Sequence, residues 1–296
     1  ISYLLGLRGQ LIIVTNLILA ATLIGLVYSC FRKLTGHAGE ALLAAGTMTF
    51  SLVTLTTVYY GGYCDSLTYL LVFLMWWQRS RSVLFYSLFL LALLNRECVL
   101  FLIPWLVHLR ITATGRRWST LVEILGGLGI ALLVFFYYRQ WVESQGSPTY
   151  TVRHYLGPLA DDPLHWVRRS FANWGVGFFS VFKALWAVPA VAVWDLWRRG
   201  NRGEVLGMAL LLFGVWSQMI IAFDTSRMLT LAFPVMLISL VYLAKSNAGR
   251  FRGWVLPLFL MNLLIPQLYT AAGALEIMHS TPVNAILVWF FGKGSW

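Results

Sequence analysis

Three short polar islands interrupt an otherwise apolar chain, and each carries residue types able to do chemistry. The first is Tyr59-Tyr60-Gly61-Gly62-Tyr63-Cys64-Asp65, the second Asn95-Arg96-Glu97-Cys98 and the third Asp224-Thr225-Ser226-Arg227. The carboxylates of Asp65 and Glu97 are candidates for taking a proton from an attacking hydroxyl. The guanidinium groups of Arg96 and Arg227 suit phosphate, whose oxygens match their planar fork of donors. Asp224 precedes Arg227 by three residues, a spacing that lets the two pair on one helix face. Tyr60 and Tyr63 flank a Gly-Gly pair that permits an unusual turn, and their rings are candidate platforms for a sugar. A long polar stretch, 139–170, adds Arg153 and His154 as groups able to close over a ligand.

Each island also has a plainer reading. Asp65, ahead of Ser66-Leu67-Thr68, and Asp224, ahead of Thr225, are good helix N-caps. Arg96 and Glu97 can neutralise each other in a turn, and 139–170 can be a solvated connector. Two arguments favour chemistry. Charges set between apolar limbs are costly, and connectors beyond about 15 residues without structure of their own are commonly functional. Five aromatics in or beside that stretch, Trp141, Tyr150, Tyr155, Trp166 and Phe171, argue against disorder. It is therefore read as a lid, with a short interfacial helix around 163–172. His37, His108 and Lys183 read as structural, and Trp76, Trp77, Trp194 and Trp197 as an interfacial belt.

The elements that must position these groups are membrane helices. Of 296 residues, 59% are hydrophobic and 11% charged, and the mean hydropathy is +0.74. A soluble domain carries about 25% charged residues, so this chain cannot cover a water-facing surface. Apolar stretches run over 10–31, 40–60, 66–77, 82–94, 98–109, 119–138, 171–194, 204–223, 228–244 and 254–272, with a short tail segment at 283–291. The expectation is an all-α polytopic bundle with about 9–11 membrane segments, several short or re-entrant, forming a single domain over 1–296. The chain begins at Ile1 rather than Met, so a preceding N-terminal portion is also expected.

The net charge of +11 sits in short breaks at Arg32-Lys33, Arg79–Arg81, Arg110–Arg117, Arg198–Arg202 and Lys245–Arg252, which together hold more than half of the 22 Lys and Arg. That is the positive-inside pattern rather than a nucleic-acid surface. All five breaks share the cytoplasmic side only if 82–109 turns back at Asn95-Arg96-Glu97 as a hairpin. Its limbs would then rise only ~20 Å at 1.5 Å per residue. On this topology most acids, namely Asp65, Glu97, Glu143, Asp161, Asp162, Asp224 and Glu276, gather on the opposite face.

Cys30, Cys64 and Cys98 have no metal-type spacing. No zinc site is expected, although Cys64 and Cys98 could meet as a disulfide on the oxidising side.

Taken together, Tyr59 to Tyr69, Leu94-Asn95-Arg96-Glu97 with Pro104, and Phe223-Asp224-Thr225-Ser226-Arg227 with Pro234 resemble the C-type superfamily of polytopic membrane glycosyltransferases, over about residues 40–245. The resemblance implies a sugar donor linked to polyprenyl phosphate and transfer at the non-cytoplasmic face; the positive-inside count points to a bacterial inner membrane, and an endoplasmic reticulum protein would obey the same rule. It implies Asp65 or Glu97 as base and Arg96, Arg227, Arg153 and His154 as phosphate-holding groups. Membrane lipids and the lipid-linked donor are the implied partners, and a divalent metal bridging carboxylate and phosphate is compatible with it, though no spacing demands one. The superfamily's acidic first external loop has no match in the 296 residues. Three other classes remain open. An O-antigen-ligase or polymerase-like enzyme would depend on Arg153 and His154 rather than an acid. A non-catalytic subunit would assemble with other membrane proteins. A transporter would show repeated halves, and no repeat is evident.

Overall fold

The computed structural model describes residues 10–59, 65–115, 117–145, 161–162, 164–220, 224–246, 248–271 and 274–278. The chain is a helical bundle. Its helices are α1 (Gln10–Thr35), α2 (Ala38–Thr49), α3 (Leu52–Tyr59), α4 (Asp65–Trp77), α5 (Ser82–Asn95), α6 (Ile103–Thr114), α7 (Trp118–Ser144), α8 (His165–Ser170), α9 (Trp174–Phe182), α10 (Ala187–Arg198), α11 (Arg202–Ser217), α12 (Thr225–Leu229), α13 (Phe233–Ser246) and α14 (Ala248–Leu264). Among the described residues six helical stretches are long and apolar enough to cross a membrane, and α2 with α3 adds a seventh if counted as one bent span. Asp65–Trp77, Ser82–Asn95 and Phe251–Leu264 are shorter apolar helices. Exposed Leu, Ile, Val and Phe side chains along α1 and α7 face outward, as lipid-facing surfaces do. The protein is an integral, multi-pass membrane protein.

The hairpin expected at Asn95-Arg96-Glu97 is present. Arg110 donates to Ser82 Oγ at 2.8 Å and to the carbonyl of Arg79. A continuous helix would hold residues 82 and 110 about 40 Å apart at 1.5 Å per residue. The chain instead leaves α5 at Asn95, passes through an extended Arg96 and returns through a 3-10 turn, Glu97–Leu102, into α6. Arg110 itself corrects the sequence reading. It is no loop cation but fully buried, ion-paired with Glu123 of α7, which also accepts from Tyr86 at 3.0 Å. A buried cation needs such partners.

The basic breaks collect at one end. A cavity of about 370 Å³ is lined jointly by Arg79, Thr112, Asn201 and Lys245, and Lys33 lies 6.0 Å from the Trp77 ring. By the positive-inside rule this end is cytoplasmic. The tryptophans there divide: Trp194 and Trp197 are 60% and 59% exposed, as a belt requires, whereas Trp76 is packed inside.

Three details depart from the sequence reading. The 40–60 segment is not one helix: α2 and α3 meet at 49°, and the Met48 carbonyl is taken by the hydroxyls of Ser51 at 2.8 Å and Thr54 at 3.0 Å. Hydroxyls that capture a carbonyl compete with the helical ladder. The last expected span, 254–272, ends at Leu264, before Pro266, which has no N–H to extend it. The chain then forms an antiparallel hairpin of β1 (Leu268–Ala271) and β2 (Ala274–Ile277), with Tyr269 opposite Glu276. Finally, Arg139–Ser144 continue α7 rather than opening the lid, while α8 and a 3-10 turn over Phe171–Asn173 supply the short helix expected around 163–172. The tail segment 283–291 lies outside the described residues.

Candidate functional site

At the end opposite the basic breaks, the second and third islands and the last residue of the first converge. Asp65 opens α4 and is 2% exposed. One of its oxygens is paired with Nη1 of Arg96, and the other lies 2.5 Å from Nε of Arg227. Nη2 of Arg227 completes the clamp at 3.3 Å. Arg227 reaches on to Asp224 Oδ2 at 3.5 Å, and Asp224 Oδ1 accepts from the Tyr269 hydroxyl at 2.7 Å. Glu97 pairs with Arg139 Nη2 at 2.9 Å. Acids and arginines thus alternate, Asp224–Arg227–Asp65–Arg96, beside a Glu97–Arg139 pair.

Local structure sets these positions. The extended Arg96, at φ −153° and ψ 123°, ends α5. Asn95 Nδ2 binds Thr68 Oγ1 at 2.8 Å, so the α5 end is fastened to the α4 start beside Asp65. The Arg227 segment is held from below. Ser226 Oγ lies 2.9 Å from Thr270 Oγ1, accepts the Thr270 N–H at 2.8 Å and approaches Ser180 Oγ at 3.3 Å. Gly177 in α9 permits this approach, since a Cβ there would collide with the Thr225 side chain and come within 2.8 Å of Thr270 Oγ1. Lys183, at φ +47° where α9 breaks, donates to the Ile265 carbonyl at 2.9 Å and so ties the base of the β-hairpin to the bundle.

The plainer readings fare unevenly. Asp224 precedes α12 but makes no side-chain cap bond. Its expected pairing with Arg227 is present. Arg96 and Glu97 do not neutralise each other; each finds a partner elsewhere. Tyr60, Tyr63, Arg153 and His154 lie outside the described residues, as does Cys64. Cys98 is a buried free thiol. Sequence reasoning passed over Tyr269 and treated Arg139 as part of the lid. Nothing local marks Tyr269; Arg139, on the same face of the chain's ends as Glu97, was at least legible as external.

The arrangement divides chemical roles. Both oxygens of Asp65 are engaged by guanidinium groups, which suits an anchor for Arg96 and Arg227. Glu97, paired with Arg139 through Oε1, keeps its side chain 46% exposed. A guanidinium carries five N–H donors, and Asp65 occupies Nη1 of Arg96. The Arg96 and Arg227 side chains are 18% and 14% exposed, and all three guanidinium nitrogens of Arg227 meet Asp65 or Asp224. Among the described residues no group of three or more His, Cys, Asp or Glu is arranged to hold a metal ion.

Comparison of the chain with protein-family models, with characterised proteins and with solved structures finds no significant match.

Proposed function

We propose that this chain transfers a sugar from a polyprenyl-phosphate carrier to an acceptor hydroxyl at the non-cytoplasmic face of a bacterial inner membrane. The observation that carries the reading is the convergence of Arg96 and Arg227, from distant segments, on one buried carboxylate at the outer end of the bundle. Paired arginines held rigidly by an acid are preorganised to receive phosphate charge as it develops.

In this reaction the acceptor oxygen forms a bond to the anomeric carbon while the bond from that carbon to the phosphate oxygen breaks. The electron pair leaves with the phosphate, where Arg96 and Arg227 stabilise it, and the acceptor proton passes to Glu97. Asp65 and Asp224 keep the two arginines in place.

The test is retention of polyprenyl monophosphate by the purified chain in native mass spectrometry. Wild type is expected to keep one such lipid, and Arg96→Ala to lose it by about tenfold or more, the value of one charge-assisted hydrogen bond. Equal retention, with Arg96→Ala unfolding at the wild-type temperature, removes Arg96 from the site and sinks the reading.

A second reading, a non-catalytic subunit of a larger membrane assembly, is favoured by the complete engagement of Asp65, which suits a structural latch. It predicts co-purifying polypeptides and no polyprenyl lipid.

A further inference from the structure

The cytoplasmic end holds a second feature, unrelated to the outer cluster. Between α10, α13 and α14 lies a groove of about 540 Å³. Its length is apolar, walled by Val188, Val191, Leu243, Val255 and Leu258, and its polar end carries Asp195 with Arg198 and Arg199. Trp194 and Trp254, 60% and 59% exposed, are also part of its lining.

Charge decides what fits. Arg199 is paired with Asp195 at 3.0 Å, and Asp195 also accepts from Tyr242 at 2.6 Å. Arg198 has no carboxylate within ion-pair distance among the described residues and instead lies 4.8 Å from the Trp194 ring centre. Among the described residues Arg198 is therefore left without an acid, at the polar end of an apolar slot. A soluble anion would have no use for the apolar walls, and a zwitterionic lipid brings its own cation.

We propose that this groove binds one anionic phospholipid of the cytoplasmic leaflet, its acyl chain between α10, α13 and α14 and its phosphate on Arg198. Basic side chains near an anionic membrane surface contribute about 1 kcal/mol each, equivalent to about fivefold in retention. Aromatic rings at this level hold the headgroup region in place.

The full chain, purified in mild detergent, is titrated with phosphatidylglycerol and with phosphatidylcholine of the same acyl chains, and retained lipid is counted by native mass spectrometry. The expected result is one phosphatidylglycerol held in preference to phosphatidylcholine, a preference reduced about fivefold in Arg198→Gln and kept in Arg198→Lys. Val191→Trp, which fills the groove, should lower retention of both lipids. Equal retention of the two lipids by wild type, or an unchanged preference in Arg198→Gln, overturns the proposal. If Arg198→Gln fails to fold, the comparison of the two lipids on wild type and on Val191→Trp decides alone. Loss of polyprenyl phosphate in Arg96→Ala leaves this result untouched, since the two sites lie at opposite ends.

Discussion

Arg227 Nε lies 2.5 Å from Asp65 Oδ2, although 162 positions separate the two residues in the chain. Arg96 approaches the same carboxylate from a third segment. Three helix ends are thereby fixed to one buried anion. Buried ion pairs of this kind are poor stabilisers compared with apolar packing, yet breaking one is severe because the remaining charges are left uncompensated.

Asp65→Asn should therefore destabilise the protein by about 3–5 kcal/mol, read as a lowered denaturation midpoint in detergent. Arg227→Gln in the Asp65→Asn background should cost less than its own single effect, with a coupling of about 0.5–3 kcal/mol. Strict additivity would mean the two side chains do not depend on one another.

Arg110 and Arg117 both belong to a basic break, but Arg110 is fully buried and Arg117 exposed. Arg110→Ala should cost about 2–5 kcal/mol, since it empties a fully buried site, frees the Arg79 carbonyl and leaves Glu123 with Tyr86. Arg117→Ala should stay within about 0.5 kcal/mol. Similar small losses for both would contradict the hairpin contact.

Sidedness can be read with single cysteines in a chain whose native cysteines are replaced. Ser80→Cys and Asn201→Cys should react with a membrane-impermeant maleimide from one side, and Ser144→Cys from the other. Labelling of Ser80→Cys and Ser144→Cys from a common side would reject the topology.

Gly214 in α11 packs against the Phe101 carbonyl so closely that a Cβ would collide with backbone, whereas Gly126 in α7 has open space around it. Gly214→Ala is expected to cost about 1–3 kcal/mol through overpacking. Gly126→Ala should be neutral or stabilise by up to about 1 kcal/mol, the helix-propensity difference. Thermal unfolding of the two variants side by side separates these outcomes.

The sequence by itself determined that the chain lives in a membrane, which end of it is basic, and which polar islands stand out from the apolar background. These follow from local quantities: hydropathy along each stretch and the count of Lys and Arg in each break. It also required the turn at Asn95-Arg96-Glu97, because only a hairpin keeps the basic breaks together. What it left open was partnership. Arg96 is adjacent to Glu97 and Arg227 sits three residues from Asp224, so local spacing offers each arginine a near partner, yet both reach for Asp65. A carboxylate 2% exposed is starved of water and draws whatever cations helix packing brings within reach. The same holds for Tyr269, which meets Asp224 only because Pro266 stops α14 and the chain turns into a hairpin against α12. Periodicity tells which face of a helix is buried; which helix lies against that face is settled by packing of the whole bundle.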